Sequence, residues 1–139
     1  MSVGFDPVTD YPLGSRRPDL VTTPSGLPLD AVTLDAARDG TLRGDDVRAT
    51  AETLALQARV ARAAGRSQLA DGLERAAELT RVPEDELLAV YTALRPGRSS
   101  VAELESWAER LEGLGAPRNA AFVREAAEAY RARGLVGGV

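Results

Sequence analysis

The sequence predicts an all-α protein: a compact bundle of about five helices preceded by an extended, proline-rich N-terminal arm. Three observations carry this expectation. Behind residue 30, apolar side chains recur at three- and four-residue spacing, and no stretch shows the alternation or β-branched enrichment of a strand. Alanine, the strongest helix former, is the commonest residue. Five of the eight prolines fall at positions 7, 12, 18, 24 and 28, where they fix φ and push their predecessors toward extended geometry. The expected division is an arm over 1–30, a helical domain over 31–134 and a flexible tail over 135–139. The arm keeps more large apolar residues than a solvated tail needs, among them Val3, Phe5, Tyr11 and Leu13, which favours an arm ordered against a partner.

Each helix has a local reason. A short one fits Leu34 to Arg38 and stops at Gly40. Thr50 is placed to cap a helix running through Ala64, with Leu54, Ala58 and Ala61 on one stripe, and Gly65 stands at the left-handed C-terminal position. Ser67 is expected to cap a helix to about Thr80, with Leu69, Leu73, Ala76 and Ala77 inward. Pro83 followed by Glu84-Asp85-Glu86 starts the next helix, because proline is tolerated in a first turn and acids favour the positive dipole end. That helix is expected to bury Leu87, Leu88, Tyr91 and Leu94 and to stop at Pro96-Gly97. Ser100 and Glu103 form a capping box for a helix presenting Val101, Leu104, Trp107, Ala108 and Leu111. Pro117 opens the last helix, with Phe122, Val123, Ala126, Ala127 and Tyr130 available for burial and Gly134 closing it. Such a core is thin, since alanine buries little area, and the chain is expected to complete its burial on another subunit.

Composition removes much chemistry. In 139 residues there are 17 basic residues, all arginine, against 21 acids, for a net charge of −4, and there is no histidine, lysine or cysteine. A Ser–His or Cys–His nucleophile pair, a Schiff-base lysine and a histidine or thiolate metal site are therefore excluded. The acidic excess lies in residues 1–46, and no basic stripe offers itself to nucleic acid. No apolar run is long enough to span a membrane, and the first residues do not read as a secretory signal. The expected location is the cytoplasm.

The remaining clusters favour plain structural roles. Glu84-Asp85-Glu86 point in different directions from a helix start and suit the dipole better than an ion. Asp45-Asp46, with Asp39, suit a turn or cap better than a hard cation. Trp107 and Tyr91 sit on helical stripes, as core residues do. Leu79-Thr80-Arg81-Val82-Pro83 has the outline of a helix-turn-helix connection, but the charge argues against DNA. The run Leu94-Arg95-Pro96-Gly97-Arg98-Ser99-Ser100 is richer. Its two guanidiniums can clamp a partner's acids or hold an anion; alternatively Arg95 caps the preceding carbonyls and Arg98 is solvated.

Several of these segments together resemble a known family. They are Asp10-Tyr11-Pro12-Leu13; Thr53-Leu54 with Leu56-Gln57-Ala58; Ala64-Gly65-Arg66; the run Glu74-Arg75-Ala76-Ala77-Glu78-Leu79-Thr80; Val82-Pro83, Leu87 and Tyr91; Ala93-Leu94-Arg95-Pro96 with Arg98-Ser99; and Ala121-Phe122-Val123-Arg124-Glu125-Ala126-Ala127 with Tyr130. In order and spacing they resemble the small subunit of adenosylcobalamin-dependent diol and glycerol dehydratases, over roughly residues 10–134. The resemblance implies a dimer of three-subunit protomers. A large TIM-barrel subunit holds diol, metal ion and catalytic residues, and adenosylcobalamin lies between the large and medium subunits. An adenosyl radical abstracts hydrogen, and a hydroxyl shift and loss of water give an aldehyde. The small subunit supplies no catalytic, cofactor-binding or metal residue, in keeping with the inventory above.

With a large subunit as partner, the extended proline pattern joined to buried-type side chains makes Tyr11 and Leu13 expected contacts of the arm with it, and the two guanidiniums of the Pro-Gly loop make Arg95 and Arg98 expected residues of a subunit interface. The acidic excess on the arm suggests a relatively basic receiving surface. Some relatives carry a longer amphipathic N-terminal extension linked to packaging in a bacterial microcompartment. Here nine residues precede Asp10 without such a helix, so packaging through this chain is not expected. Arginine stands wherever lysine would. A stand-alone helical adaptor and a carboxylate-based enzyme are the alternatives.

Overall fold

The computed structural model describes residues 4–138; Val3, counted with the arm, and Val139, counted with the tail, lie outside the described residues. Among these residues there are seven α-helices and no strand. They are α1 (Leu13–Arg16), α2 (Leu34–Asp39), α3 (Ala51–Ala63), α4 (Ser67–Leu79), α5 (Glu84–Ala93), α6 (Val101–Gly113) and α7 (Pro117–Arg133). The chain forms two compact units, Met1–Ala77 and Glu78–Val139.

In the first unit, the proline-rich segment is folded into turns instead of running extended. The Asp6 carboxylate accepts the N–H groups of Val8 (2.8 Å) and Thr9 (3.2 Å). Arg17 ties the segment together, donating to the Gly4 carbonyl at 2.9 Å, to Asp10 at 3.1 Å and to Asp19 at 3.0 Å. The φ that proline fixes suits the first position of a turn as well as an extended strand, and Pro18 duly opens a 3-10 turn over Pro18–Leu20. A further reversal is closed by Thr23, whose hydroxyl accepts the Leu27 N–H (3.1 Å) around left-handed Gly26. Phe5 and Leu13 are buried, and the Arg59 guanidinium stacks 4.8 Å from the Phe5 ring centre while donating to the Phe5 carbonyl at 3.0 Å.

The acidic residues of this region are mostly engaged locally. Asp6 and Asp39 cap turns, Asp10 and Asp19 pair with Arg17, Asp35 with Arg38 and Asp45 with Arg48. Asp46 is buried in a 3-10 turn over Gly44–Val47. Its carboxylate accepts the Ser25 hydroxyl and the Arg43 N–H (2.9 Å). These two bonds, the Ser25 bond foremost, hold its pKa down to about 2. A depressed carboxyl stabilises the fold above its unfolded pKa of about 4 and loses that contribution as pH falls through its folded value. The thermal midpoint of wild type should therefore exceed that of Asp46→Asn between pH 5 and 7 by a margin that closes from about pH 4 to about pH 2. A margin equal at pH 2 and pH 6 would refute the assignment.

Local caps place the helices. Thr33 accepts the Ala36 N–H (3.1 Å) at the start of α2, and Thr50 accepts the Thr53 N–H (3.2 Å) at the start of α3. The end of α3 is a Schellman motif: Gly65 has φ +76°, its N–H reaches the Arg62 carbonyl, and Arg66 N–H reaches the Ala61 carbonyl at 2.9 Å. Ser67 is the first residue of α4 rather than its cap, with Ala70 N–H bonded to the Arg66 carbonyl at 3.0 Å. Ala58, Ala61 and Ala70 form the buried cluster here, with Leu73 against it, and Arg62 bridges α3 to Asp71 and Glu74 of α4.

In the second unit α6 and α7 pack along one another through Leu104, Ala108, Leu111, Ala120 and Val123, all essentially inaccessible. Alanines at these contacts leave little side chain between the backbones. Arg124 of α7 reaches Glu105 (2.8 Å) and Glu112 of α6. The expected capping box is present: Ser100 Oγ accepts the Glu103 N–H (3.1 Å) and Glu103 accepts the Ser100 N–H (2.8 Å). On α5 the burial differs from expectation. Val90 and Ala93 turn inward with Leu87 and Leu94 against the core, while Leu88 and Tyr91 are 61% and 57% exposed. Two adjacent stripes of one helix were both apolar, and the alanine-lined cluster accepted the stripe with the smaller residues. Phe122 and Val101 are likewise exposed. Nine of the sixteen buried apolar residues among those described are alanine.

Candidate functional site

Tyr11 and Leu13 lie at an apolar groove of about 730 Å³ within the first unit. Val8 and Tyr11 of the N-terminal segment, Val60 of α3 and Leu69 and Leu73 of α4 are among the residues that line it. The two expected contact residues part company. Tyr11 is 59% exposed, whereas Leu13, only 7% exposed, is turned into its own unit. Arg66 is the charged residue of the lining.

Arg95 and Arg98 belong to the loop between α5 and α6, in the second unit. Both are exposed, and neither guanidinium has a hydrogen-bond or ion-pair partner among the described residues. The alternative in which Arg95 caps α5 is therefore not what the structure contains. Two hydroxyls do that work: Ser99 Oγ donates to the Ala93 carbonyl at 2.8 Å, and Tyr130 Oη donates to the Leu94 carbonyl at 2.6 Å. The turn itself is made by Gly97 at φ +76° with Arg98 N–H bonded to the Arg95 carbonyl at 3.1 Å. The tail expected to fray is laid against this loop, with Gly97 N–H bonded to the Leu135 carbonyl (2.7 Å) and Gly137 N–H to the Ser99 carbonyl (2.9 Å). A Cβ on Gly137 would come within 2.1 Å of the Gly97 carbonyl oxygen, so the approach requires glycine.

Sequence reasoning names the two arginines, Ser99 and Tyr130, but not the capping of α5 by the Ser99 and Tyr130 hydroxyls, whose partners are distant or follow from the loop's path. Gly137 left no signal, because the close approach is tertiary. Glu84-Asp85-Glu86 behave as a helix start, with Glu86 bonded to Arg110 of α6 at 3.0 Å and its carboxyl held below the usual range by that guanidinium. Trp107 packs against the core while lining a small pocket with Glu86, Ser106 and Arg110. Among the described residues no group of three or more acidic side chains converges as a metal site would require, and no helix is long and apolar enough to cross a membrane. The backbone of the α5–α6 loop is thus fixed while its two guanidiniums and the neighbouring Leu88 and Tyr91 side chains stay exposed.

Residues 7–136 match the family of dehydratase small subunits. The chain is 49% identical over 124 residues to a propanediol dehydratase small subunit of Citrobacter freundii, an alignment covering 88% of this chain and 72% of the relative. It is 48% identical over the same length and shares to a propanediol dehydratase small subunit of Salmonella typhimurium strain LT2.

Proposed function

The chain belongs to the dehydratase small-subunit family, and from that premise we propose that it is the non-catalytic small subunit of a dehydratase acting on propanediol or glycerol. Its role is to assemble and stabilise a complex with a large TIM-barrel subunit and a medium subunit, arranged as a dimer of heterotrimers in the cytoplasm or within a bacterial microcompartment. The observation that carries this reading is the near-half identity to propanediol dehydratase small subunits over most of the chain. The alanine-rich core and the exposed apolar residues support it, because a chain that buries little by itself gains from a partner.

Adenosylcobalamin, bound by the partner subunits, would supply the radical chemistry that turns a 1,2-diol into an aldehyde and water. This chain has no histidine, cysteine or lysine to offer the cofactor, and among the described residues no three acidic side chains converge as an oxygen-ligated cation would need. No chemical step is therefore routed through it. Its residues act on shape, through the Arg124 clamp between α6 and α7 and the pinned loop carrying Arg95 and Arg98.

Co-expression with large and medium dehydratase subunits tests the proposal. The three chains should co-purify and dehydrate 1,2-propanediol when adenosylcobalamin is added, and the isolated chain should be inactive. A large–medium complex that is equally stable and active without this chain, or that does not retain it, overturns the proposal.

A further inference from the structure

The outward stripe of α5 carries Leu88 and Tyr91, and Arg95 lies two residues beyond the helix end. Leu88 and Tyr91 are more than half exposed, and Arg98 follows in the same tight turn. Residues 87–102 contain no acid. The flanking carboxylates are already engaged, Glu86 with Arg110 and Glu103 with the Ser100 N–H. The α5–α6 loop therefore carries two positive charges with no internal counter-charge among the described residues, beside an uncovered leucine and tyrosine.

The loop is also held firmly. Hydroxyls from Ser99 and Tyr130 and backbone bonds to Leu135 and Gly137 fix its course. A fixed backbone lowers the entropic cost of ordering the arginines on a partner. Tyrosine and arginine are the residue types that dominate interface energetics, and a guanidinium matches a carboxylate with two parallel bonds.

We infer that Leu88, Tyr91, Arg95 and Arg98 form one docking patch for an acidic segment of a partner dehydratase subunit, in which carboxylates meet the two guanidiniums and an apolar side chain covers Leu88 and Tyr91. The inference rests on the reading of this chain as a dehydratase subunit and adds which face meets the partner and with what chemistry.

The test uses the full chain with the large and medium subunits, measuring affinity for their complex by titration at low and high salt. Arg95→Glu/Arg98→Glu should bind on the order of tenfold more weakly or worse and should lose most of the wild-type salt dependence. Arg95→Lys/Arg98→Lys keeps the charge without the fork and should fall between the two. Leu88→Ser/Tyr91→Ser should weaken binding while leaving the salt dependence in place. Circular dichroism of each variant should match wild type, since all four side chains are exposed. If wild type assembles and both the charge-reversed and the serine variants bind within twofold of it, this inference alone fails. Added inorganic phosphate that abolishes the salt dependence while the charge-reversed variant assembles normally would assign the arginines to a small anion and overturn it. If wild type itself does not assemble, the subunit reading fails and takes the patch with it.

Discussion

Leu104→Ala is expected to destabilise the chain by about 2–5 kcal/mol, the range for truncating a fully buried leucine. Leu104 is 1% exposed and one of the three largest side chains completely buried here. Its surroundings set the size of the effect. The cluster it joins contains Ala93, Ala108, Ala116, Ala120 and Ala127, whose single methyl groups cannot swing into a void. The cavity should stay open, which puts the cost toward the upper part of the range. Against a total stability of about 5–15 kcal/mol for a domain of this kind, the loss is a large share. Urea unfolding of the purified chain, followed by the fluorescence of Trp107 packed on the same cluster, reads the change as a lower midpoint. Leu104→Met conserves volume and should cost less than about 1.5 kcal/mol. If the two variants unfold at the same midpoint, the α6–α7 contact is not the tightly packed core described here.

What could be read from sequence was what is local. Gly40, Gly65 and Gly134 all take the left-handed conformation, at φ +82°, +76° and +67°, and each closes a helix because only glycine enters that region without strain. Thr50 and the Ser100–Glu103 box were legible for the same reason: donor and acceptor lie three residues apart. The exposure of Leu88 and Tyr91 was not legible, since periodicity shows that a helix has an apolar face but not which of two adjacent apolar stripes the neighbours leave uncovered. Proline placement alone predicts an extended N-terminal segment. Its turns depend on pairings that cross the sequence, such as Arg17 with Gly4 and Asp10, or Ser25 with Asp46. The candidate site divides in the same way. Arg95 and Arg98 announced themselves as charges in a Pro-Gly loop, but the hydroxyls and the tail that hold the loop come from as far away as Tyr130 and Gly137.

Glu78→Ala is expected to cost about 2–3 kcal/mol, from hydrogen bonds to a charged group and the loss of a helix cap. The start of α7 has no side-chain cap of its own, because Ala116 occupies the N-cap position. Pro117 follows and has no N–H to satisfy. Ala120 N–H already reaches the Ala116 carbonyl at 3.0 Å. Two first-turn donors remain, on Arg118 and Asn119, and Glu78 in the last turn of α4 accepts both, at 3.0 and 3.1 Å. It also accepts from the side-chain amide of buried Asn119 at 2.9 Å. The carboxylate thus works as a cap supplied from about forty residues earlier in the chain, and its charge faces the positive end of the α7 dipole. No short-range signal could have shown this, since Glu78 reads in sequence as an ordinary helical glutamate. Glu78→Gln keeps one carbonyl oxygen and gives up the charge and the second acceptor, so its loss should lie between wild type and Glu78→Ala. Hydrogen exchange is the sharper readout: the Arg118 and Asn119 amides should exchange faster in Glu78→Ala, while the Thr53 amide, capped by Thr50 in α3, should accelerate only as far as the global loss of stability requires. Unchanged exchange at Arg118 and Asn119, with a stability change below about 0.5 kcal/mol, would show that water replaces the carboxylate at no cost and that α7 starts on its own.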